Sequence, residues 1–105
     1  MATLKDVHED VARQFERDFG DRHINEMRYM CALGLAEESG EVAGIMKRAI
    51  RNNSRDQGVV TREHTIEELG DVLWYLTACC IINGTTLDEV YSANVAKLKE
   101  RYGDT

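Results

Sequence analysis

The chain contains no proline in 105 residues. Proline removes a backbone N–H and clashes with the preceding turn, so its absence leaves long helices uninterrupted. Apolar residues then recur at helical spacing through most of the chain. Leu4, Val7, Val11, Phe15 and Phe19 mark a first helix from about Leu4 to Phe19, closed by Gly20. Met27, Cys31, Leu35, Val42, Ile45 and Ala49 mark a second, from about Asn25 to Ile50. At a rise of ~1.5 Å per residue it would be roughly 40 Å long. Asn52 to Gly58 reads as a polar loop. A third helix starts near Arg62 or Thr65, with Ile66, Leu69, Leu73, Leu76 and Cys80 as its apolar stripe, and stops at Asn83-Gly84. A fourth opens on the capping box Thr86-Leu-Asp-Glu89 and runs through Val90, Val95 and Leu98 to about Tyr102. Alternating strand patterns are absent, and the Val59-Val60 pair is too short to count. The expected architecture is one all-α domain over 1–105, a four-helix bundle with antiparallel neighbours where connections are short.

Composition narrows the function classes. At 43% hydrophobic and 30% charged residues the chain is expected to be globular. A net charge of -6 argues against nonspecific binding to a nucleic-acid backbone. A small phosphate ligand stays open, because a metal can bridge acid to phosphate. Cys31, Cys79 and Cys80 form neither a disulfide framework nor a zinc-ligand spacing. Their reduced state fits a cytoplasmic setting, which is the expected one. The first residues, MATLKDVHEDVARQF, hold no signal-peptide apolar core, and no apolar run reaches transmembrane length. A domain this small buries a modest core, so self-association as a homodimer or homotetramer is expected.

Acids interrupt the apolar pattern in two places. Glu38 occupies the stripe Cys31, Leu35, Glu38, Val42, Ile45, Ala49 where a core residue belongs, and Glu41 borders it. In the third helix Glu68 and Asp71 stand beside the apolar stripe in the same i, i+3 relation, which puts both on one helix face. If the two helices pack together, four carboxylates meet. Two unit charges ~5 Å apart repel by about 3 kcal/mol at an effective dielectric near 20. A proton, basic side chains or a metal must neutralise such a patch. Hard oxygen ligands select Mg²⁺, Mn²⁺ or Ca²⁺. One Glu-x-x-Glu alone is equally an ordinary solvated face; two such pairs, each encroaching on an apolar stripe, are harder to place in solvent. A di-iron bundle would need Glu-x-x-His on two helices, and none of His8, His23 and His64 follows a glutamate by three.

The segment Leu35-Ala-Glu37-Glu38-Ser-Gly-Glu41, then Glu68-Leu-Gly-Asp71, then the tail Asn94-Val-Ala-Lys97-Leu-Lys-Glu-Arg101-Tyr102, resembles the MazG-like all-α nucleotide pyrophosphohydrolases. The likeness runs from about Met27 to Tyr102, and the order of the motifs makes it specific. It implies Mg²⁺-dependent hydrolysis of a (d)NTP to (d)NMP and pyrophosphate by water attack at the α-β phosphate linkage. It implies Glu38, Glu41, Glu68 and Asp71 as metal ligands, with Glu37 helping to hold a second metal or orient water. Glu38 or Glu41 would be the proton acceptor. Lys97 and Arg101 would contact phosphates, helped by Asn94 and Tyr102. Tyr75 shares the face of Glu68 and Asp71 and is a pocket candidate. His64 stands where some relatives carry lysine. Lys97 and Arg101 also suit a helix C-terminus as plain surface charges, and Lys47, Arg48, Arg51 and Arg55 read as a solvated helix end. A phosphoribosyl-ATP pyrophosphohydrolase-like enzyme and a non-catalytic helical interaction module are the competing readings.

Overall fold

A computed structural model of the protein describes residues 1–52 and 60–103. It contains four helices: α1 (Leu4–Phe19), α2 (Ile24–Asn52), α3 (Arg62–Ile82) and α4 (Leu87–Tyr102). No strand occurs among the described residues. The expected all-α, four-helix architecture is the observed one. Residues 53–58 of the expected polar loop, Arg55 among them, and Val59 lie outside the described residues.

Helices α1, α3 and α4 start where the sequence provides a threonine cap. The Thr3 hydroxyl accepts the Asp6 amide at 3.2 Å while the Asp6 carboxylate accepts the Thr3 amide at 3.0 Å, a reciprocal box that sequence reading passed over. Thr61 caps α3 by accepting the His64 amide at 3.1 Å. At α4 the expected box is half formed. The Thr86 hydroxyl accepts the Glu89 amide at 3.1 Å, but the Glu89 carboxylate accepts the Thr85 hydroxyl instead of the Thr86 amide. A hydroxyl one residue earlier competes for that carboxylate and wins.

The core lies where α1 crosses the α2–α3 pair. Val11, Phe15, Cys31 and Ala78 are buried together there. The Phe15 ring stands 5.3 Å from Phe19 and 6.2 Å from Trp74, and the Trp74 indole N–H donates to Gln14 at 2.7 Å. The α2 stripe faces inward as expected, with Cys31 and Ile45 buried. The α3 stripe does not. Ile66 and Leu69 are 50% exposed, and Leu73 and Leu76 are 40% and 36% exposed; of that set only Cys80 is buried. Periodicity shows which residues share a face, but α3 is apolar on several faces. The neighbours cover Val72, Tyr75 and Cys79 on one side, and Trp74 and Ala78 on another.

The short α3–α4 connection does not produce an antiparallel neighbour. Asn83 donates its amide to Cys79 and Cys80, Gly84 turns at φ +71°, and the Thr85 amide returns to the Cys80 carbonyl at 2.9 Å. Only glycine takes that positive φ without strain. α4 then meets α1 through its first turn, burying Leu87, and does not pack along α3 or α2. An open groove of about 410 Å³ remains, lined by Leu4, Leu73, Leu76, Leu87, Val90, Tyr91 and Asn94. The radius of gyration is 16.8 Å, against roughly 13 Å for a compact chain of this length. No described helix is long and apolar enough to cross a membrane.

Candidate functional site

Packing of α2 on α3 brings the two acidic motifs together. Glu38 comes from α2, and Glu68 and Asp71 from α3; each offers a carboxylate oxygen, and these all lie within 4.8 Å of one another. Glu38 and Glu68 are half-buried and Asp71 is exposed, so the cluster sits in the seam between helices with one side open to solvent. Partial burial, then the charges of Asp71, Glu37, Glu68 and Glu41, push the Glu38 carboxyl above its ordinary value. No cation figures among those influences. A divalent ion fits this donor set: it would neutralise the repulsion, and three carboxylates from two rigid helices are hard oxygen ligands of the kind Mg²⁺ and Mn²⁺ take.

The remaining acids sit around this trio. Glu37 and Glu41 are exposed, close enough for their charge to act on Glu38, but outside the group of three. His64, one turn before Glu68, brings its Nε2 to 3.3 Å from the Glu68 Oε1. Tyr75 closes the inner side. Its phenol is pushed up by partial burial first and then by Glu38 and Glu37, which places it beside the acids. The ring meets Trp74 edge-on at 5.0 Å and lies against Gly34, where a Cβ would overlap it. The Gly34 contact and the Gln14–Trp74 bond behind it were not foreseen. A glycine in mid-helix between apolar residues was the available signal, since such a glycine has a packing reason more often than a conformational one.

The four α4 candidates are placed elsewhere. Asn94, Lys97, Arg101 and Tyr102 are all exposed. Lys97 and Arg101 share a helix face, yet neither forms an ion pair among the described residues. Within one chain the acids and these cations are not brought together.

A family model described as the MazG nucleotide pyrophosphohydrolase domain matches residues 29–104. That span holds the acidic seam and α4 and leaves α1 outside. The Gene 37 protein of Mycobacterium phage L5 is 35% identical over 72 residues, which cover 66% of this chain and 60% of the phage protein. The chain thus spans about 60% of the length of that relative. No solved structure matches.

Proposed function

The chain belongs to the MazG nucleotide pyrophosphohydrolase domain family, and on that premise we propose that it hydrolyses a nucleoside triphosphate, canonical or damaged, to the monophosphate and pyrophosphate. The observation that carries this reading is the convergence of Glu38, Glu68 and Asp71 within 4.8 Å across two helices. Glu38, Glu68 and Asp71 would hold Mg²⁺ or Mn²⁺, which supplies charge neutralisation on the phosphate oxygens and acidifies a bound water.

The protein's own share of the work is positioning and proton handling. Glu41 stands outside the trio, so its carboxylate is free to take the proton of the attacking water. The water oxygen bonds to the α phosphorus, the bond from the α phosphorus to the oxygen bridging it to the β phosphorus breaks, and pyrophosphate leaves with that bridging oxygen. Glu37 helps orient that water. Lys97 and Arg101, four residues apart on one face, hold the outgoing phosphates, with the guanidinium able to bind two oxygens at once. Asn94 and Tyr102 flank them. Tyr75 walls the acids from the aromatic core, and His64 borders the open side at Glu68.

The test is pyrophosphate release from a panel of (d)NTPs and phosphoribosyl-ATP with Mg²⁺, beside Glu41→Gln and Glu68→Gln. Turnover of one or more (d)NTPs, lost in both variants while the helical circular dichroism persists, is the expected result. Release from phosphoribosyl-ATP alone would reassign the substrate. No release from any substrate, with no stabilisation by millimolar Mg²⁺, would leave an inert helical module.

A further inference from the structure

Beside the acids α2 and α3 run antiparallel: Gly34 meets Tyr75, and four residues later Glu38 meets Asp71 and Glu68. Beyond Glu41, α2 therefore continues alongside the start of α3, where His64 stands against Glu68. At about 100° per residue, Glu37, Glu41 and Arg48 fall within roughly 40° of one another, a single stripe on the border of the seam. Lys47, one residue earlier, is turned about 100° away from Arg48. Gly44 lies on the same border, between Glu41 and Arg48 and roughly 4.5 Å past Glu41 along the axis. A Cβ placed on Gly44 would find Arg48 Nη1 at 3.1 Å, with Cζ and Nη2 at 3.8 Å. The exposed Arg48 side chain thus folds its guanidinium back over Gly44, toward the acids, instead of running out along the helix. It forms no ion pair among the described residues. Glycine inside a helix lowers helix stability relative to alanine; here the missing side chain is the space beside which the guanidinium rests.

We propose that Arg48 binds the outer phosphates of the substrate, a contact that α2 supplies from the same helix as Glu38. The assignment rests on the triphosphate reading given above. A triphosphate is a polyanion, and a cluster of acids repels it wherever a metal does not neutralise both. A cation beside the cluster, but not bonded to it, lowers that repulsion without drawing the carboxylates away from a metal. Arg48 meets both conditions. Its guanidinium lies over Gly44, roughly 9 Å beyond Glu38 along the axis, too far to neutralise that carboxylate directly and near enough for a polyphosphate to span. The planar fork can donate two hydrogen bonds to one phosphate or bridge two neighbouring ones. Lys97 and Arg101 reach phosphate only from α4, whereas the position of Arg48 does not depend on where α4 stands. Of the cations that close α2, Arg48 is the one that shares the stripe of Glu37 and Glu41, and that stripe sets it apart from a solvated helix end.

Binding tests this without relying on turnover. Isothermal titration with inorganic tripolyphosphate in millimolar Mg²⁺ is expected to show about 10–100-fold weaker binding by Arg48→Ala than by wild type, the range for charge-assisted hydrogen bonds. Mg²⁺ binding without tripolyphosphate should not weaken, and the helical circular dichroism should persist. Arg48→Lys should recover only part of the loss, because an ammonium lacks the fork. Gly44→Leu separates contact from fold: its side chain displaces the guanidinium, so tripolyphosphate binding should fall while the thermal midpoint holds or rises. An Arg48→Ala affinity equal to that of wild type, or no tripolyphosphate binding by wild type, would overturn the proposal. If wild type binds tripolyphosphate yet releases no pyrophosphate from any nucleoside triphosphate, the hydrolase reading fails, and the affinity ratio still decides the role of Arg48.

Discussion

Glu38 carries an internal conflict at the scale of a single residue. It holds a core position on the α2 stripe, yet its nearest charged neighbours are all acids. Its folded pKa is raised, so the native state keeps a proton that the unfolded chain releases near the ordinary value of 4.5. Stability from this group is therefore present below that value and lost as pH rises through the raised one. In metal-free protein, Glu38→Gln is expected to raise the thermal midpoint at pH 7, with a gain over wild type that shrinks to nothing as pH falls below 4.5. Millimolar Mg²⁺ should stabilise wild type and leave the variant nearly unmoved. Thermal unfolding across pH, with and without Mg²⁺, reads both effects, and a variant less stable than wild type at pH 7 would contradict them. Catalysis should suffer in parallel. Loss of an outer-sphere partner commonly costs a metal site 10–100-fold, so removing a proposed direct ligand by Glu68→Gln is expected to lower kcat/KM by at least ~100-fold.

Helices set the seam that holds these acids. Gly34 lets the Tyr75 ring come up against α2, which fixes how closely α2 and α3 approach beside Glu38. Gly34→Ala puts a methyl group into that ring. The expected loss is about 1–3 kcal/mol, the usual cost of overpacking, measured by urea unfolding. Tyr75→Ala in the same chain should recover part of it, since the clash then has no second partner. Farther from the site, Phe15 is 5% exposed and joins α1 to Trp74. Phe15→Ala should cost about 3–5 kcal/mol. It would also release the Gln14–Trp74 side of the wall behind Tyr75, which tryptophan fluorescence would report.

The whole molecule is open where a bundle would be closed. Its 16.8 Å radius of gyration and the uncovered Leu73–Leu76 face follow from one cause: α4 leans on α1 and leaves α3 bare. A chain whose core is completed by association gains stability from its own concentration. The thermal midpoint should rise with protein concentration in wild type. In Leu73→Asp/Leu76→Asp it should become independent of concentration and lower, because the groove then repels a partner. Calorimetry over a hundred-fold dilution makes the comparison, and a wild-type midpoint that ignores dilution would count against completion by a second copy.

The sequence by itself determined the elements and the chemistry of the acidic seam. Helical spacing and the absence of proline are local properties, so four helices and the inward α2 stripe were legible. Glu38 announced itself by standing where a leucine belonged. Local signals could not say which of several apolar faces of α3 would be covered, because burial depends on where α1 and α2 arrive. They could not say that Asp6 and Thr85 would enter the caps, since that depends on side chains competing for one partner. Nor could they place Lys97 and Arg101. Motif order put acids and cations in one family pattern, but the hydrogen-bonded turn before α4 sets its direction, and that direction carries the cations away from their own chain's acids. The separation of the α4 cations from the acidic seam is thus a property of tertiary direction, which spacing along the chain does not encode.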